Sequence, residues 1–212
     1  MTSEILWQHD CPGHIVTEEI DGEIWISCYL GVEPPGPPRV SEGLQVLYTF
    51  GEGSGTTIHD VAGVGPSLDL TLESETAVSW IAGGGLSIVS PTRLTSTGPA
   101  QKVIDGARAS NEITLEAWVK PENQDYDGPA RIITLSSDVH HRHFQLAQAA
   151  ELYDVRLRTT QTTANGRPSL ATPPGVLKPE LTHIVFTREA AGMARIYVNG
   201  CLLYTSDAAD DN

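Results

Sequence analysis

Between Glu112 and Lys120, Ile113, Leu115, Ala117 and Val119 alternate with Glu112, Thr114, Glu116 and Lys120. That is the period of a β-strand with one face in an apolar core. A single strand cannot bury such a face by itself, so the rest of the chain must supply a second layer. Trp118 interrupts the pattern, because it falls among the polar set. A large aromatic there means that the second face is either covered or used for binding. Tryptophan is more often buried than displayed, so a covered second face is the expectation.

The remaining sequence reads as partners for this strand. Leu44, Val46, Tyr48 and Phe50 share one face of a strand expected over Leu44–Phe50. Short apolar runs follow at Leu68–Leu72, Val78–Ile81 and Gly85–Val89, and later at Arg131–Ser136, His143–Gln148, Tyr153–Thr159, Thr182–Arg188 and Ala194–Asn199. Gly-rich or Asn-Gly turns separate many of them, among them Gly51–Gly55, Gly83-Gly84-Gly85, Asn165-Gly166 and Asn199-Gly200. The three successive glycines are not followed by a helix with Lys-Ser or Lys-Thr, so they read as a hairpin turn and not as a phosphate loop. Gln101–Ala109 is the one helical stretch, with Val103, Ile104 and Ala107 on one side. The sequence therefore specifies an all-β chain, an antiparallel β-sandwich or jelly roll with one short helix.

Residues 1–30 hold only two apolar runs, Ile5–Trp7 and Ile24–Leu30, too little to fold alone. Four prolines fall within Gly31–Val40, which favours an extended, semi-rigid linker. The expected organisation is thus 1–30 as the tail of an upstream region, 31–41 as a Pro-rich linker and 42–200 as the sandwich. Cys11 and Cys28 are suited to a disulfide in an exported protein, or to two buried free thiols. The formal net charge is −14 over 212 residues. Such a surface repels phosphate backbones, which argues against nucleic acid as a partner, and it offers no basic patch to an anionic membrane. No apolar run approaches membrane-spanning length, so membrane insertion is not expected. The first twenty residues show no secretory signal pattern, an absence that carries little weight in a fragment.

Five stretches, taken in order, resemble a known family. Leu47-Tyr48-Thr49-Phe50-Gly51-Glu52-Gly53-Ser54-Gly55-Thr56 resembles the opening strand and acidic Gly-Ser-Gly turn of laminin-G-like domains. His59-Asp60-Val61-Ala62-Gly63 is similar to their Asp-x-Ser/Ala-Gly turn, and Ile113–Pro121 to their central strand. Leu181–Thr187 is similar to the strand that carries His-x-Val, and Arg195-Ile196-Tyr197-Val198-Asn199-Gly200 to the Tyr-Val-Asn/Asp-Gly hairpin. The chain is identified on these residues as similar to the laminin-G-like domains of the concanavalin A-like lectin/glucanase superfamily, of the bacterial type found in large exported proteins. The resemblance implies an extracellular or cell-envelope location and neighbouring domains in a larger chain. It implies a binding or adhesion module for carbohydrate or a protein surface, and no catalysis. A glycosidase of the same superfold and a structural spacer are the alternatives.

The family pattern continues past Gly200 with strands that this chain lacks. Cys201–Asn212 instead resembles the translation of a transposase adapter, and 201–212 is expected to be a non-native tail that leaves the sandwich incomplete. Leu202 and Tyr204 are nevertheless placed to supply a returning strand after Asn199-Gly200.

Several constellations bear chemistry. Glu19, Asp21 and Glu23 have the spacing that, on one strand, aligns three carboxylates as in laminarinase-type glycosidases. They precede the Pro-rich segment, however, and read better as a hairpin turning at Asp21-Gly22. His140, His141 and His143 offer imidazoles, but in a turn and with only Asp138 beside them. Ca²⁺ is the one cofactor with support: Glu52, Asp60 and Asp69 lie in or near Gly-rich turns, and some relatives of the fold carry Ca²⁺. For a glycan or protein ligand the candidates are Trp118 with Glu116, Arg156 and Arg158 as donors, and Tyr197 beside Arg195.

Overall fold

The computed structural model of the protein describes residues 14–20 and 23–29 as backbone, and residues 41–122, 124, 128–138 and 140–206. The chain divides into two compact units, Met1–Leu44 and Gln45–Asn212. In the first, β1 (His14–Ile20) pairs antiparallel with β2 (Glu23–Tyr29). Ile20 stands opposite Glu23 and Glu19 opposite Ile24. Glu19 and Glu23 therefore belong to different strands, which removes the single-strand row of carboxylates that a laminarinase-type site requires. The Pro-rich segment 31–40 and Cys11 lie outside the described residues.

The second unit carries β3 (Thr57–Ile58), β4 (Leu70–Leu72), β5 (Val78–Trp80), β6 (Leu86–Ile88) and β7 (Leu94–Ser96). Helix α1 (Gln101–Ser110) comes next. It is followed by β8 (Ile113–Val119), β9 (Ala130–Ser136), β10 (Arg142–Ala149), β11 (Leu152–Leu157), β12 (Leu170–Ala171), β13 (Thr182–Arg188), β14 (Ala194–Val198) and β15 (Cys201–Ser206). Two four-stranded antiparallel sheets result, with strand orders β12-β11-β10-β9 and β15-β14-β13-β8. The early strands form a smaller sheet, β3-β4-β7, and a hairpin, β5-β6.

The two large sheets share one core. Leu115, Ile184, Phe186, Ala194, Ile196 and Val198 come from one sheet, and Phe144, Leu146, Tyr153 and Val155 from the other. Val119 packs against this cluster from the end of β8. The register explains why these side chains meet. Leu115 stands opposite Phe186, and Phe186 opposite Ile196, so one row of apolar residues crosses three strands on the same face. Leu203 and Tyr204 of β15 also pack on the core, although Leu202 faces outward. Helix α1 lays Val103 against the core and ends at Asn111, whose left-handed φ of 59° turns the chain into β8. Among the described residues, no helix is long and apolar enough to cross a membrane.

One expected strand is absent. Leu44–Phe50 joins no ladder. Leu47 N donates instead to the Asp60 side chain (Oδ1, 3.1 Å), Val61 N donates to Leu47 O (2.9 Å), and Phe50 adopts φ 52°. A side chain has taken the place of a neighbouring strand's carbonyl, and the positive φ breaks the extended run.

Phe186 is fully buried at the centre of the apolar row. Phe186→Ala is expected to destabilise the chain by about 3–5 kcal/mol, read as a lowered urea midpoint with an unchanged slope.

Candidate functional site

Each large sheet has an outer face, and the two faces differ in kind. On the β8-β13-β14-β15 sheet, the residues between the core positions point outward. Trp118 stands opposite His183, and Glu116 opposite Val185, which is opposite Tyr197 in turn. The Trp118 and His183 rings stack with centroids 4.5 Å apart and planes within 14°. His183 Nε2 lies 2.9 Å from Glu116 Oε1. Trp118 remains 46% exposed. Among the described residues, the covered second face expected from the sequence is not found: the indole is displayed, with an imidazole that contacts a carboxylate stacked on it. Cross-strand pairing explains the arrangement, since directly opposed residues on one face lie close enough for rings to stack. Tyr197 shares this face two strands away. Arg195, beside it, is engaged elsewhere, donating to Glu189 and, at 2.7 Å, to Met193 Sδ.

Arg156 and Arg158 do not join Trp118. Arg156 lies on β11, in the other sheet, buried and bonded through Nε to Asp154 Oδ2 at 3.1 Å. Arg158 lines a cavity of about 830 Å³ with Val103 and Ile104 of α1, His143, Leu157 and Arg188. Of the residues singled out in the sequence, Trp118, Glu116 and Tyr197 thus share one face, and the two arginines lie apart from it. His183, the partner that makes Trp118 a rigid platform, was legible only as part of a strand.

Asp60, Asp69 and Glu52 are engaged with protein donors. Asp60 accepts from the backbone N–H groups of Leu47, Ala62 and Leu68, each at 3.1 Å, and from Lys102 Nζ. Partial burial pushes its carboxyl up, but Lys102 and those three N–H groups outweigh burial and hold it below the usual range. Asp69 accepts from Asp60 N (3.0 Å) and the Ser67 hydroxyl, and pairs with His59 Nδ1 at 3.0 Å. The Ser67 hydroxyl, the Asp60 N–H and His59 together lower its pKa to about 2. Glu52 Oε1 accepts from His59 N at 2.8 Å. These contacts tie the turns at 59–69 together. Among the described residues, no three His, Cys, Asp or Glu side chains converge as metal ligands would. His140 and His141 are exposed, and Asp138 accepts from both of their N–H groups, at 2.7 and 2.9 Å, so this stretch is a capped turn.

A two-sheet antiparallel sandwich with a displayed aromatic on one outer face defines a class of chain built around a rigid sheet surface. The sequence places it further: residues 95–211 match the laminin-G-like model described as the concanavalin A-like lectin/glucanases superfamily, and the chain belongs to that family. No curated protein matches. Among solved structures, the chain is similar in fold to the binding domain of botulinum neurotoxin DC, determined in complex with rat synaptotagmin II. The TM-score is 0.59 at 11% identity, over 81% of this chain and 41% of that one, so the chain spans less than half of that neighbour's length.

The lowered Asp69 pKa has a stability consequence. Its ordinary value is 3.8 and its folded value about 2. The contribution is therefore complete above pH 3.8 and is lost as the pH falls towards 2. Asp69→Asn is expected to flatten the acid limb of the urea midpoint between those two pH values relative to the unsubstituted chain. An acid limb of unchanged steepness would show that the Ser67, Asp60 and His59 contacts do not stabilise the fold.

Proposed function

We propose that the chain is a non-catalytic binding module of a larger exported protein, which recognises carbohydrate or a protein surface through the outer face of the β8-β13-β14-β15 sheet. The observation that carries this reading is the Trp118 indole, exposed yet fixed by its stack on His183 and by the His183–Glu116 contact. A flat aromatic with a polar rim suits a sugar ring, whose C–H face lies on the indole while its hydroxyls reach neighbouring acceptors. The same surface suits a protein hot spot, where tryptophan and tyrosine are enriched. Holding the ring in place beforehand lowers the entropy lost on binding. The neighbouring fold, solved as a binding domain with a protein partner, is in keeping with such a role.

The glycosidase alternative finds no support from the carboxylates singled out in the sequence, because Glu19 and Glu23 stand on different strands. Glu19→Gln with Glu23→Gln in a reducing-sugar assay separates the two readings: a release of sugar that these changes abolish would overturn the non-catalytic one.

The direct test is a glycan array, together with a cell-surface protein array, run with Ca²⁺ and again with a chelator. The Ca²⁺ comparison tests whether the acidic turns contribute. Trp118→Ala is expected to weaken binding of any ligand found by at least about tenfold. The melting temperature should change little, because the side chain lies outside the core. Binding untouched by the substitution would remove this face from the reading, and an absence of binding on both arrays would favour the spacer.

A further inference from the structure

The outer face of the β9–β12 sheet gathers guanidinium groups in a chain that has 27 acidic and 13 basic side chains. Arg142 and Arg156 are each 5% exposed, and Gln145, which stands opposite Arg156, is fully buried. Arg131, Arg156 and Arg167 all lie close enough to repel the Arg142 charge. Two β-bulges create this grouping. On β10 the register passes from Arg142↔Ser136 to Phe144↔Leu135, so His143 is an extra residue and Arg142 is turned to the same face as Gln145. On β9 it passes from Ile133↔Leu146 to Arg131↔Ala147, so Ile132 is extra and Arg131 is turned to that face too. Arg156 arrives without a bulge, directly opposite Gln145. The loop after β11 brings Arg167. Arg142 N donates to Ala164 O (3.0 Å), and Gly166 sits so close that a Cβ there would lie 3.1 Å from Arg156 Cβ.

Among the described residues these positive charges meet little compensation. Asp154 is bonded to Arg156, and Asn165 accepts from Arg142 Nη1. Arg142 Nε and both amide atoms of Gln145 are buried without a hydrogen-bond partner. An arginine cannot shed its charge in a protein, so burial leaves a positive field and unsatisfied donors. Two separate bulges thus turn arginines to the face that carries the buried Gln145 amide.

We propose that this face is a binding site for an oxyanion, a carboxylate or sulfate group carried by an acidic sugar, with Arg142, Arg156 and Gln145 as its floor and Arg131 and Arg167 as its rim. Guanidinium forks match the two oxygens of such a group. The Gln145 amide oxygen can only accept, so a ligand that brings a hydroxyl beside its anionic group satisfies both amide atoms. The site is on the opposite sheet from Trp118 and does not rest on the reading of that face.

The test uses the full chain, titrated by calorimetry with sodium sulfate, with glucuronate and with neutral glucose, against chloride at equal ionic strength. Sulfate and glucuronate are expected to bind with heat above the chloride control, and glucose is not. Tighter binding of glucuronate than of sulfate places the anion on a hydroxylated ligand, and equal binding makes it a free oxyanion; both keep the site. Arg131 and Arg167 are exposed, so Arg131→Ala with Arg167→Ala leaves the fold intact and is expected to weaken glucuronate by about tenfold or more. Trp118→Ala is expected to leave it unchanged. Anion heats no greater than chloride, or full affinity in the double variant, would overturn the proposal.

Discussion

The structure depends on the interface between two apolar sheet faces, and above all on β10 and β11, which are buried on both sides. Their inner residues, Leu146 and Val155, fill the sandwich, while outward-facing Gln145, Ala147, Asp154 and Arg156 are also withdrawn from water. A strand buried on both faces usually carries apolar residues throughout. Here the outward set is polar and charged, so its hydrogen bonds and charges have to be met by protein groups or by a ligand. The opposite sheet works under no such constraint. Its outer residues are half-buried or exposed, and the chain can display a tryptophan there without stranding a polar group.

This asymmetry gives the outer sides of the two sheets different physics. The Trp118 face offers area and shape: a ring held flat by a second ring, which contributes contact at small entropic cost. The arginine face offers charge in a dry setting, where each interaction is stronger than it would be in water and more dependent on geometry. A single ligand that occupied one surface would not report on the other, because the core of the sandwich lies between the two sheets.

The strands of the core were legible in the sequence because their apolar residues alternate with polar ones. Thr182–Arg188 matches its expected bounds, and the strand through Leu115 and the helix differ from theirs by one residue. The first strand was not legible. Leu44–Phe50 has the right alternation, but the Asp60 side chain intercepts its backbone, and no local pattern announces a hydrogen bond to a residue thirteen positions away. The exposure of Trp118 was also hidden, since it depends on what covers a face and not on the strand itself. Hardest of all was the arginine grouping. Along β10, simple alternation puts Arg142 on the same side as Phe144 and Leu146. Only the extra residue at His143 reverses that, and a bulge is a property of a pair of strands, invisible in either one.

Asp60 shows how the polar side of the fold is organised. It lies in a turn that alternation cannot describe, yet it binds Leu47, Ala62, Leu68 and Lys102, and its own N–H binds Asp69. The aspartate closes its own turn, draws in the segment that failed to become a strand and anchors the start of α1. An ionised carboxylate that accepts several bonds at once is among the stronger polar anchors available to a protein. The acidic turn residues therefore have work to do within the fold before any cation is considered. On the β9–β12 sheet another aspartate works in the same way: Asp154 accepts from Arg156 Nε and is, among the described residues, the carboxylate bonded within the arginine grouping.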